Sequence, residues 1–371
     1  MFFSIGSELD SRFPNNQQIG KLWINHDHGW QQTAQGTFYK GYPENYCEIA
    51  THAWGIEINH NKHRSFPLWY SDKFVTNFPT QAPLQSVWAD ERVIIDNQGH
   101  VSTSKISIDF SVNPGVLCID QAVEQIKKQL DASVHQLKKY NPENLKLFCS
   151  GGIDTFLLYS MLSFHQLKFE LVQDEYFAVD SFTQTNQSTL ELFWGYKQIH
   201  HWPTITWLAT GSCGDEYLLR GPMIISMLTA WHDIDFRKIL DKSTDKYHYH
   251  YFAKYNTLWQ DSWNTRNQLR EQYPTQQLLN KQILDILLND HQHWHLGNTI
   301  TWTPFNNIEL VKILLRCDIN DLLPQFTNGA ISKQLITEYD PSVLKFTSTF
   351  KNHNIKENLP DFFAWHDKFQ Q

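Results

Sequence analysis

The sequence predicts an α/β protein, α+β overall, in which a β-rich region leads into a parallel sheet covered by helices. Three observations predict it. Short aromatic and β-branched runs, broken by Asn, Gly, Pro and Asp, fill residues 1–118. Strand-like and helix-length segments alternate after residue 119, the pattern of a parallel sheet with helices on its faces. Between them, an apolar run at 145–149 breaks at Ser150-Gly151-Gly152 and is followed by an apolar segment of helical length. Two domains are expected, 1–118 and 119–371.

In the first region, residues 21–25, 36–39, 65–70, 85–88, 92–95 and 105–110 read as strands. Asp96-Asn97-Gln98-Gly99 lies between two of them and reads as a hairpin turn, so an antiparallel sandwich or layered sheet is expected. At Ile119 the period changes. Ile119, Val123, Ile126, Leu130, Val134 and Leu137 recur every three or four residues, and Asn141-Pro142 stops the run, which predicts a helix over 119–140. The strand at 145–149 and the helix after Gly152 follow, and residues 169–173, 198–202 and 204–209 read as further strands. Ligands of such sheets sit at the carboxyl ends of the strands, where the Ser150 loop lies.

Composition narrows the classes. The formal charge is −8 with no long basic run, against a protein that wraps nucleic-acid backbone. Aromatics make up 14% of the chain, with 14 Trp, which suits an interior built on large rings. Cysteines 47, 118, 149, 213 and 317 form no close pair and are odd in number, the pattern of reduced cytoplasmic thiols. No basic start with a long apolar core opens the chain and no apolar stretch reaches the length of a membrane span, so a cytoplasmic protein without a membrane partner is expected.

Strand, glycine loop and helix together suit phosphate. Glycines let backbone N–H groups turn toward an anion, and a helix starting at the loop adds its positive end. Asp154 is out of place there unless a cation separates it from the phosphate, which implies magnesium held by few carboxylates and by the phosphates themselves. The bland alternative is an ordinary tight turn. A second strand end, Thr210-Gly211-Ser212-Cys213-Gly214-Asp215-Glu216, offers small residues and acids; taken alone it is equally a solvated turn. Paired with the first, it lets Asp154 and Asp215 grip one magnesium from opposite sides.

The string Ser-Gly-Gly-Ile-Asp-Thr resembles the pyrophosphate loop, SGGxD[ST], of the PP-loop ATP pyrophosphatases, and it lacks the Gly-Lys-Ser/Thr of a Walker loop. With TGSCGDEYLLRGP further on, the chain from about 122 to 351 is similar to the synthetase domain of the asparagine synthetase family, whose second motif has the form SGEGxDExFGGY. Pro304-Phe305-Asn306-Asn307 is similar to that family's PFLD segment, and 329–351, with Lys333, Pro341 and Lys351, to its closing lysine-containing region. The resemblance implies ATP and Mg2+ as cofactors. Ser150, Gly151, Gly152, Asp154 and Thr155 would hold the pyrophosphate end of ATP, Thr210, Gly211 and the backbone near Val172 would face adenosine, and Asp154 and Asp215 would be the magnesium ligands. The family's catalytic lysine would be Lys351 or Lys345, and either is equally read as surface solvation.

Departures choose the reaction. Glutamine-dependent members carry a nucleophilic cysteine after the initiator Met; Phe2 stands here, so no glutaminase is expected, and the β-rich region resembles a degenerate glutamine-amidotransferase layer as in the β-lactam synthetase branch. Ser212 and Cys213 replace the Glu-Gly of the second motif, which leaves Glu216 or a tyrosine to take a proton from the attacking amine. The expected activity is an AMP-forming amide ligase: a small-molecule carboxylate attacks the α-phosphorus of ATP, and an amine attacks the resulting acyl-adenylate. The alternatives are a PP-loop enzyme that adenylates a nucleobase or tRNA, and an ATP-binding relative without turnover; an oligomer is compatible with all three. His291, His293 and His295, with His248 and His250, are read as metal ligands or, more simply, as solvent-facing; Cys149 and Cys213 as a sulfur-relay pair or as small buried hydrophobes.

Overall fold

A computed structural model describes residues 2–5, 17–19, 22–25, 31–34, 37–42, 45–60, 69–70, 74–76, 85–87, 91–105, 111–172, 206–240, 255–290, 299–347 and 359–369. The chain divides into two compact units, 1–109 with 174–207 and 288–301, and 110–173 with 208–287 and 302–371. The first crossing falls at 109/110 rather than at the expected 118/119, and the chain returns to the first unit twice.

Twelve described strands lie wholly within the first unit: β1 (Phe2–Ile5), β2 (Gln17–Ile19), β3 (Leu22–Asn25), β4 (Gln31–Ala34), β5 (Thr37–Tyr42), β6 (Asn45–His52), β7 (Gly55–His60), β8 (Trp69–Tyr70), β9 (Phe74–Thr76), β10 (Gln85–Ser86), β11 (Glu91–Asp96) and β12 (Val101–Lys105). They form two antiparallel sheets, β10-β8-β9-β1-β3-β2 and β12-β11-β7-β6-β5-β4. In the second sheet Ile49 pairs with Ile58 and Ile58 with Val93, all fully buried, so one apolar row crosses three strands. The expected turn at 96–99 is present: Asp96 Oδ1 accepts from the amides of Gln98 and His100 at 2.8 and 2.9 Å. Its second strand is Val101–Lys105, however, and the expected strand at 105–110 has only Lys105 among the described residues. The β6–β7 hairpin was not legible as two strands, although Cys47, Ile49, Ile56 and Ile58 alternate on its buried face. Its turn is Ala53-Trp54, and at Gly55, which opens β7, a Cβ would stand 2.1 Å from the Ile95 carbonyl oxygen.

The rest is helix and parallel sheet. Helix α1 (Ile119–Lys139) buries Val123, Ile126, Leu130, Val134 and Leu137, as its period requires. Then come β13 (Leu145–Phe148), α2 (Ile153–Phe164), β14 (Glu170–Val172), β15 (Thr206–Ala209), α3 (Gly214–Tyr217), α4 (Pro222–Trp231), α5 (Gln276–Asp290), β16 (Thr299–Trp302), α6 (Ile308–Leu314), α7 (Ile319–Asn328), α8 (Ala330–Tyr339) and α9 (Leu359–Phe369). The strand expected at 198–202 lies outside the described residues. Every residue of α2 from Ile153 to Leu162 is buried, which matches its lack of a polar face. The parallel sheet has the order β14-β13-β15-β16. Its first strand therefore has its successor on one side and the later strands on the other. The crevice at the carboxyl ends of β13 and β15 is where such a reversal places a ligand.

Candidate functional site

Both loops that the sequence singles out open on this crevice. After β13 the chain turns through Ser150 and through Gly151, whose φ of +80° favours glycine, and enters α2 with Gly152 as N-cap and no side chain capping it. The loop is braced internally: Ser150 Oγ and Thr155 Oγ1 are 2.8 Å apart, and the Gly152 amide donates to Ser150 Oγ at 3.4 Å. The first-turn amides of α2 are thus left facing the loop, an anion-binding end. Val172 ends the neighbouring strand, and its carbonyl accepts from the Cys149 amide at 2.8 Å, so the expected adenosine-side backbone borders the same loop.

The second loop is pressed onto the first. A Cβ on Gly211 would meet the Thr155 amide nitrogen at 2.8 Å, and one on Gly214 would meet Asp154 Cγ at 2.3 Å. Only glycine permits that approach. Thr210, buried, donates its amide to the Trp302 carbonyl at 3.0 Å, which anchors the loop to β16. The third segment joins too, because Thr303 Oγ1 donates to the Ser212 carbonyl at 2.9 Å, and Asn307 caps α6 by accepting from the Glu309 amide. Thr303 was absent from the sequence reading, which began that segment at Pro304.

The charges form one cluster. Asp154 is buried and Asp215 half-exposed, and Arg220, 10% exposed in its side chain, bridges them: its Nη2 bonds Asp154 Oδ2 and lies 2.7 Å from Asp215 Oδ1. Arg220 was missed by sequence reasoning; its signals were a lone base five positions after Asp215 and its place where the resembled motif SGEGxDExFGGY carries glycine. The loop that carries it is held by buried Gln325, whose amide donates to the Leu218 carbonyl and whose oxygen accepts from the Ile331 amide. Burial raises the Asp154 carboxyl above the usual range, against the pull of Arg220 and with the push of Asp215 and Glu216. Burial likewise raises Glu216, with Asp215 adding to it.

Asp154 Oδ1 is buried with no hydrogen-bond partner. No group of three or more His, Cys, Asp or Glu suited to a metal occurs among the described residues. An orphaned carboxylate oxygen beside a second carboxylate fits the kind of ion that takes one or two protein ligands and completes its shell with phosphate and water.

Lys345 is exposed, with its ammonium 4.8 Å from the Phe346 ring centre and 5.2 Å from that of Trp365. Lys351 and the histidines 248, 250, 291, 293 and 295 lie outside the described residues. Cys149 and Cys213 are buried, and burial pushes the Cys149 thiol up to about 12 and Cys213 well above the thiol range, so neither supplies a thiolate at neutral pH. No helix among the described residues is long and apolar enough to cross a membrane. No protein-family model matches the chain, and no curated protein matches it.

Proposed function

We propose that the chain is an ATP-dependent, AMP-forming ligase that adenylates a small-molecule carboxylate and joins it to an amine. One observation carries the reading: the Ser150 loop and the Gly211 loop, on adjacent strand ends, are in contact at the point where the sheet order reverses. A second supports it. Cys213 and Leu219 have positive φ, 67° and 55°, and both stand where the resembled motif SGEGxDExFGGY carries glycine. Three of that motif's four glycines are replaced here, by Cys213, Leu219 and Arg220, and the first two keep a backbone conformation that favours glycine.

In this reading the amides of 151–155 bind the pyrophosphate end of ATP, and α2 adds its positive end. Asp154 and Asp215 would hold the magnesium, which when bound offsets charge building on the leaving pyrophosphate. Thr155 and Ser150 keep the loop in shape. Glu216, its carboxyl raised by burial, is suited to accept a proton from the attacking amine near neutral pH. Lys351 and Lys345 remain the proposed partners for charge in the second step. The buried thiols argue against sulfur transfer to a nucleobase.

The test is ATP labelled at the α- and γ-phosphates, incubated with Mg2+ and pools of carboxylates and amines, beside Asp154→Asn and Asp215→Asn. AMP and pyrophosphate that depend on a pool and vanish in both variants are expected; ADP and phosphate, or no ATP binding, would overturn the reading. The bridge made by Arg220 favours a second reading, a nucleotide-binding relative without turnover. Tight ATP binding without cleavage under any pool would select it.

A further inference from the structure

Arg220 is an unusual neighbour for a pair of metal ligands. Its guanidinium bonds to both carboxylates, and its side chain is nearly buried, so it is part of the site rather than of the surface around it. Resting on the functional reading above, we propose that Arg220 is the site's own counter-cation, a positioning residue that holds Asp154 and Asp215 in the free protein and transfers to the diphosphate when metal and diphosphate enter together.

The argument concerns what happens to the buried charge. A divalent ion arriving alone must displace Arg220 from two carboxylates, and that leaves a nearly buried guanidinium without an anion, which is strongly unfavourable. With a diphosphate present the guanidinium gains phosphate oxygens, which suit its planar fork, and no charge is orphaned. Metal and diphosphate must therefore bind with positive coupling, and the coupling is reciprocal. The chain would bind neither free metal nor free diphosphate well, and would select the metal complex of a nucleoside triphosphate.

The test uses the full chain, Mn2+ as metal and inorganic pyrophosphate as anion. Mn2+ binding is read by water-proton relaxation, corrected for the soluble Mn2+–pyrophosphate complex, in wild type, Arg220→Gln and Arg220→Lys. Pyrophosphate should tighten Mn2+ binding to wild type by roughly tenfold or more, within the usual range of such couplings. Arg220→Gln should bind Mn2+ alone about tenfold more tightly than wild type, with the coupling lost. Arg220→Lys, which keeps the charge but not the fork, should lie between them, and it decides the matter should Arg220→Gln fail to fold. Folded variants with wild-type Mn2+ affinity, or a wild type indifferent to pyrophosphate while binding both, would overturn this proposal alone. A wild type that binds no pyrophosphate even with metal would overturn the functional reading and this proposal with it.

Discussion

Gly214 shows how a single residue governs the site. Its Cα faces the Asp154 carboxylate so closely that Gly214→Ala must move either the second loop or Asp154. We expect a loss of about 1–3 kcal/mol, as for other overpacked positions, measurable by urea unfolding. Gly152→Ala is the contrast: its Cβ would meet only Ser150 Oγ at 3.5 Å, and its φ of −76° suits any residue, so stability should change by less than about 0.5 kcal/mol. Both glycines look alike in the sequence, and only the close approach of a distant chain separates them. Asp154 was legible, because a carboxylate inside a phosphate loop is out of place without a cation. Arg220 was not, because its partners lie 66 and five positions away and nothing local marks one base as buried between two acids.

Helix α9 is held on α2 by rings and one polar pair. Phe362, fully buried, meets Phe156, Tyr159 and Phe346 with ring centres 5.0, 4.9 and 5.2 Å apart. Phe362→Ala should cost about 3–5 kcal/mol, read by chemical denaturation. Beside it the Tyr159 hydroxyl and His366 Nδ1 are 2.9 Å apart, and burial lowers the His366 pKa below its ordinary 6.5. The unfolded chain therefore takes up this proton more readily than the folded one, so the stabilisation is present above about pH 6.5 and is lost as pH falls through the folded value. Stability measured from pH 7.5 to 5 should fall in wild type and fall less in His366→Gln. Among the elements, α1 and α2 were legible because a helical period or an apolar run of helical length is a local property. The β6–β7 hairpin escaped because its two turn residues, Ala53-Trp54, carry none of the Asn, Asp or Gly that mark a tight hairpin, although Cys47, Ile49, Ile56 and Ile58 alternate with polar residues as in a half-buried strand.

At the scale of the molecule, the chain passes between its two units five times, at 109/110, 173/174, 207/208, 287/288 and 301/302. Residues 1–118 expressed alone lack two segments of the first unit, 174–207 and 288–301, and should show no cooperative thermal transition by circular dichroism; a sharp transition would show that those segments are dispensable. A single cut at 118/119 was the natural expectation, since composition and period change there. Interleaving leaves no such mark, because membership of a unit is a matter of which residues meet, not of what they are. By itself the sequence determined the mixed α/β class, the positions of α1 and α2, and the two loops at strand ends, all of which follow from local periodicity and from the conformational demands of glycine. Tertiary structure alone decided the strand order that brings those loops together, the contact of Gly211 and Gly214 with Thr155 and Asp154, and the bridging of Asp154 and Asp215 by Arg220. Each is a contact between residues far apart in the chain, and its energy exists only once the backbone has brought them within a few ångströms.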